Sequence, residues 1–167
     1  TGTVTLVINE GTSTFTNGVT ATAPSRINIG GTINSSNATM LIGGAGTQIV
    51  LTTNTTISGN NSGNITLGGT VNGAFSLTLN TVGDTRLQGA VGGTTALTSL
   101  ETNTGGSVVI SGGSVTTTGA QTYYDAEFQL GANTTLTTTS NGNIRIVGYI
   151  TNTSAQNLTL DTGLTSG

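Results

Sequence analysis

The 167-residue chain contains no cysteine, histidine, lysine or tryptophan, only one proline, and three basic residues against six acidic ones. Each absence removes a class of chemistry. Without cysteine there is no disulfide, thiolate metal site or thiol nucleophile. Without histidine there is no Ser-His-Asp triad, imidazole metal ligand or imidazole acid/base. The arginines, Arg26, Arg86 and Arg145, are scattered and the formal net charge is −3. They cannot form the basic stripe that neutralises phosphates, which excludes nucleic acid as a main partner. Apolar runs are only a few residues long, too short for a bilayer-spanning helix, and no charged-then-apolar leader is present. Beginning at Thr1 rather than Met, the chain reads as a mature or excised piece of something longer. Lack of cysteine also suits a surface protein that is threaded unfolded through an oxidising periplasm, where thiols would cross-link prematurely.

What the chain has instead is Gly, Thr and Asn, which together make up about half of it. Gly and Asn accept positive φ in turns, and Thr favours the pleated strand. The mixture predicts many short strands joined by tight turns and no long helix. A third of the residues are apolar, enough for one core.

Internal repetition carries the fold prediction. An apolar residue, any residue and a second apolar residue, followed by a Gly-containing bend that closes on Val or Ile, recur as Ile27-Asn28-Ile29-Gly30-Gly31-Thr32-Ile33, Ile65-Thr66-Leu67-Gly68-Gly69-Thr70-Val71 and Ile144-Arg145-Ile146-Val147-Gly148-Tyr149-Ile150. Looser copies run from Thr85 to Val91 and from Val108 to Val115. Each copy reads as a strand, a corner and the start of the next strand. A longer period of about 79 residues aligns Asn54 through Leu67 with Asn133 through Ile146. Four coils per long period give about 20 residues per coil. Residues 1–167 are therefore predicted to be a single parallel β-solenoid (β-helix) segment of about eight coils, part of a longer array. The coils would run Thr3 to Ser25, Arg26 to Gly44, Ala45 to Gly63, Asn64 to Gly83, Asp84 to Gly106, Ser107 to Asp125, Ala126 to Gly142 and Asn143 to Gly163. Alternation puts Phe75, Leu77 and Leu79 inside and Ser76 and Thr78 outside. Ile65, Val108, Phe128 and Ile144 should form one inward column, and Leu67, Leu87, Ile110, Leu130 and Ile146 its neighbour. Pro24 falls between coils, where its missing N–H costs no ladder bond.

Few residues are candidates for chemistry. Asp125 and Glu127 are the one close carboxylate pair, a spacing that on a strand shares a face and could in principle serve a glycosidase. If Tyr124, Ala126, Phe128 and Leu130 are the buried set, Tyr123, Asp125, Glu127 and Gln129 point to solvent. With Arg145 on an adjacent coil, Tyr123, Asp125 and Glu127 would make a surface-binding face. Gly43-Gly44-Ala45-Gly46-Thr47-Gln48-Ile49 begins like a calcium-binding β-roll repeat, but Gln48 stands where an Asp ligand is needed, so the segment reads as a plain corner. The Asn-x-Ser/Thr triplets at Asn37, Asn54, Asn64, Asn133 and Asn157 read as corner asparagines able to hydrogen-bond from coil to coil. An ice-binding face needs the same Thr pair in one column on successive coils. Thr53 with Thr55 and Thr137 with Thr139 drift among strands and corners, so outward Thr reads as ordinary strand surface. No cofactor or metal is called for.

The Ile-x-Leu-x-Gly-x-Val corners, Leu77-Thr78-Leu79-Asn80-Thr81 and the segment Gly92-Gly93-Thr94-Thr95-Ala96-Leu97-Thr98-Ser99-Leu100 resemble the β-strand repeats of filamentous-haemagglutinin-like exoproteins and autotransporter adhesin passengers. The resemblance implies a right-handed parallel β-helix that is secreted or held at the outer cell surface. Its role would be structural and non-enzymatic, in adhesion, biofilm or filament formation. The partners implied are like subunits or continuing coils stacked end to end, and host or matrix glycans. No membrane insertion is implied. A polysaccharide-binding or polysaccharide-cleaving β-helix, and an ice-binding solenoid, are the alternatives. Terminal strands such as Thr3 to Ile8 and Asn157 to Leu160 lack the Lys, Pro or covering helix that normally protects an edge, which favours continuation or stacking.

Overall fold

The computed structural model describes residues 5–8, 11–60, 62–103 and 105–163; Thr3 and Val4 of the predicted first strand lie outside them. Every element among these residues is a β-strand, and every strand pairing is parallel. The chain is an all-β parallel β-solenoid of about seven turns, with bridged positions about 22 residues apart.

Each turn lays a segment on three faces in succession. Down the first face, Ile27, Ile49, Val71, Val91, Val115, Leu136 and Leu160 are bridged in one column. Down the second run Ile33, Ile57, Leu79, Thr102, Tyr123 and Ile146. The third carries Met40, Ile65, Thr85, Val108, Phe128 and Ile150. Side chains alternate across each strand, so these columns meet along the axis in one continuous apolar core. Burial of each Leu or Ile stabilises by roughly 1.5–3 kcal/mol, but only because the coils above and below close the column.

Leu77 and Leu79 are fully buried and Phe75 packs against them, as alternation predicts. Ile65, Val108 and Phe128 share a column, as do Leu67, Leu87, Ile110 and Leu130. Ile144 and Ile146 do not join them. They lie on the second face beside Gln121 and Tyr123, and Ile150 and Asn152 take the third-face places. The cause is that the repeated motif marks a corner without saying which. Ile27 to Ile33 turns from the first face to the second, Ile144 to Ile150 from the second to the third, and Ile65 to Val71 from the third to the first. Boundaries taken from the motif therefore drift from the first face at Arg26 to the third at Asn64 and the second at Asn143, and the drift accumulates the surplus eighth coil. The 79-residue period has the same origin. Thr55–Ile57 pair on the second face and Thr134–Leu136 on the first, because 79 residues is not a whole number of turns of about 22.

Corners are tight. At the passage from third to first face Gly112 stacks on Gly89, where a Cβ on Gly112 would lie 2.1 Å from the Gly89 carbonyl oxygen. Buried hydroxyls at the passage from second to third face are bonded rather than left dry: Ser35 Oγ donates to the Ala38 carbonyl at 2.6 Å and Thr81 Oγ1 to that of Gly63 at 2.6 Å. An unbonded hydroxyl there would cost its desolvation.

Candidate functional site

The four residues placed on one face by sequence separate in the structure. Tyr123 ends the strand Gln121–Tyr123 and is 1% exposed. Its ring meets Phe128 edge-on at 4.8 Å between centroids, and its hydroxyl donates to Gln121 Oε1 at 2.9 Å. Gln121 in turn donates from Nε2 to the Thr137 carbonyl at 2.8 Å, so the phenol sits in an internal hydrogen-bond chain. Burial, and secondarily the charge of Asp125, hold that phenol well above its ordinary value.

Asp125 is also internal, 2% exposed. Oδ2 accepts from Thr102 Oγ1 on the preceding turn, while Oδ1 is buried with no hydrogen-bond partner. Desolvation pushes this carboxyl up to about 6, against the lowering effect of the Thr102 hydroxyl. Glu127 opens the strand Glu127–Leu130 on the outside, half-buried, with Oε1 accepting from Thr151 Oγ1 on the next turn. Arg145 is exposed; its guanidinium lies 5.3 Å from the centre of the Tyr124 ring.

The predicted outward placement of Tyr123 and Asp125 is thus corrected, and the physical reason is local. Strict alternation holds within one strand, but Tyr124, Asp125 and Ala126 form the corner between two strands. Tyr123 and Asp125 stay inside, and the turn shifts the parity so that Phe128 and Leu130 are inside as well. Asp125 and Glu127 consequently do not share a face, and the two-carboxylate arrangement a glycosidase needs is not made by this pair. Among the described residues the one ion pair is Arg86 with Asp84 at 3.0 Å, and no three acidic side chains converge.

Other motifs resolve into architecture. Thr47 closes the Gly43 to Ile49 corner, its Oγ1 accepting from the Gly44 N–H at 3.0 Å and donating to the Pro24 carbonyl at 2.8 Å. Corner asparagines do bridge coils, chiefly to backbone: Asn54, Asn64 and Asn133 accept the N–H groups of Ser76, Asp84 and Asn157 at 2.8–3.0 Å. Thr55 is buried, and Thr53 accepts the Gly31 N–H at 3.0 Å, which takes that pair out of any surface array.

Two surface features were not legible in the sequence. One is a groove of about 220 Å³ on the first face, lined by Arg26, Gln48, Val50, Thr70, Asn72 and the Thr94–Thr95 loop. Asn72 Oδ1 accepts the N–H groups of both Thr94 and Thr95, at 2.8 and 3.1 Å, and so pins the loop that forms the groove wall. The other is on the second face, where Thr12, Thr32, Thr56 and Thr78 fall in register on four successive turns. Beside them, two residues along each strand, run Thr14, Asn34, Ser58 and Asn80. The column then continues through Glu101, Thr122 and Arg145. The threonines are 20, 24 and 22 residues apart, the longest step following a register shift between Ile29 and Gly31. A fixed-period search therefore passes over them.

No family model, no curated protein and no solved structure matches this chain.

Proposed function

We propose that the chain is a segment of an extracellular structural and adhesive rod, of the kind the haemagglutinin-like and autotransporter passenger repeats imply. The observation that carries this reading is the last described turn. Ile150 and Leu160 occupy the inward columns under Phe128 and Leu136, yet they are 55% and 54% exposed. Apolar side chains placed for a core but facing water call for a covering coil, and a coil of the same three-faced architecture fits column on column. The open strand edges there offer unpaired backbone groups in the same parallel sense. A head-to-tail joint of this kind does not close on itself and lengthens a fibre. Like coils, continuing in the chain or stacked on it, are the partner proposed at this turn.

The test is sedimentation and light scattering on the 167-residue protein and on an Ile150→Asp/Leu160→Asp variant. End-to-end oligomers that lengthen with concentration, and are lost in the variant without change in its circular dichroism, are the expected result. A wild-type protein that stays monomeric at high concentration sinks the stacking reading.

A second reading, polysaccharide binding, is favoured by the first-face groove. Arg26 and Gln48, with Asn72 behind them, present guanidinium and amide groups around the aliphatic Val50, a mixture suited to a sugar ring. Binding of uronate-containing oligosaccharides by the wild type, lost in Arg26→Ala, would support it; equal binding by both proteins would remove it.

A further inference from the structure

We infer that the second face is an ice-binding surface, formed by the paired columns Thr12-Thr32-Thr56-Thr78 and Thr14-Asn34-Ser58-Asn80. This function is separate from stacking at the rod's end, since it uses a flank and not a terminal coil.

The argument begins with spacing. Coils of a parallel solenoid repeat at about 4.8 Å along the axis, and residues i and i+2 of a strand stand about 6.6 Å apart. Eight side chains in strict register therefore form a two-by-four grid whose repeats approach the oxygen spacings on the faces of hexagonal ice. The grid is neutral throughout, with one column all threonine and the other mixed Thr, Asn and Ser. All eight are small hydroxyl or amide residues, with no charge, aromatic ring or long flexible chain among them. A charge would hold its own hydration shell and break the lattice of water a neutral hydroxyl-and-methyl surface can order.

Rigidity is the third element. Threonine is stiff at χ1, so stacked copies in one backbone conformation hold their methyl and hydroxyl groups alike. Thr32, Thr56 and Thr78 are half-buried because neighbouring turns flank them. Asn80 is fixed from the next turn by Asn103, whose Nδ2 donates to its Oδ1 at 2.6 Å. Ser58 is buried, at 8% exposure, with its hydroxyl bonded to Asn60, so the second column is recessed at that turn and is presented by Thr14, Asn34 and Asn80. The grid ends where it meets Glu101, with Thr122 and Arg145 beyond it, so a carboxylate and a guanidinium bound the neutral region on one side.

The deciding experiment measures thermal hysteresis and partition into a growing ice front for the purified chain. Two variants are compared with it: Thr56→Tyr in the middle of the grid, and Thr66→Tyr, outward on the third face and outside it. Ice shaping and enrichment in ice are expected for the wild type and for Thr66→Tyr, with at least a tenfold loss of hysteresis in Thr56→Tyr at unchanged circular dichroism. Should Thr56→Tyr fail to fold, Thr78→Lys, whose charge would sit beside Glu101, reads the same column. Wild-type protein excluded from ice would overturn the inference, as would equal loss in the two tyrosine variants. Retention on crystalline cellulose or chitin with no effect on ice would assign the grid to a glycan lattice and overturn it as well.

Discussion

Gly89 lies so close over Gly69 that a Cβ on Gly89 would stand 2.3 Å from the Gly69 carbonyl oxygen. The contact is backbone on backbone, so no side-chain rotation can relieve it. Gly89→Ala must push two turns apart and should cost about 1–3 kcal/mol, as overpacking does. At Gly93 the same added methyl meets only the Ala90 Cβ at 3.7 Å, an ordinary contact. Gly93→Ala should leave the denaturation midpoint within about 0.5 kcal/mol of wild type. Equal midpoints for the two variants in guanidinium melts would refute the close stacking of this corner.

Leu77 and Thr78 are neighbours with opposite surroundings, one fully buried and one at the surface. Leu77→Asp buries an unpaired carboxylate and should cost several kcal/mol, on the order of 4 or more. Thr78→Asp stays outside, but its register partner on the next turn is Glu101. Like charges facing each other on adjacent strands cost about 0.2–1 kcal/mol, so a small salt-dependent loss is expected at that site. Denaturant melts at low and high salt separate the two effects.

Asp125 makes stability fall with rising pH. Its carboxyl is held up to about 6 in the native fold against an ordinary value of 3.8. The native state therefore keeps a proton that the unfolded chain gives up. Stability from this group is fully present below about pH 4, declines as pH rises toward about 6, and stays low above it, a loss on the order of 3 kcal/mol. Asp125→Asn should flatten that decline and raise the melting temperature at pH 7. A wild-type profile that climbs between pH 4 and 6 would contradict the buried, half-partnered carboxylate.

Asn72 holds both Thr94 and Thr95 N–H groups. Each bond is worth about 1 kcal/mol, so losing both should speed local opening by about tenfold or more. In Asn72→Ala, hydrogen exchange at Thr94 and Thr95 should accelerate by that factor while exchange at Leu77 is unchanged.

The sequence carries the class of fold almost entirely, because a solenoid states its local rule many times. Alternation at Phe75 to Leu79 needs no tertiary information, and neither does the glycine demand of a corner. Phase is harder, since three corners of one turn accept the same residues, and only pairing distinguishes Ile65 on the third face from Ile144 on the second. The surface candidates were misplaced for a related reason. Parity counted through Tyr124 to Ala126 presumes a strand where there is a turn. Nor can residues 12, 32, 56 and 78 be seen as neighbours before the register shift after Ile29 is known.

The parallel stacking of turns also fixes how the molecule responds to force. Its strands lie across the long axis, so the hydrogen bonds between turns point along it, and a pull on the two ends of the chain meets them one rung at a time. Extension should proceed by peeling, turn after turn, at low and nearly uniform force. Each event would release about 22 residues, or about 75 Å of extended chain. A solenoid built this way yields gradually under load and can recoil onto the turns that remain, which act as its template.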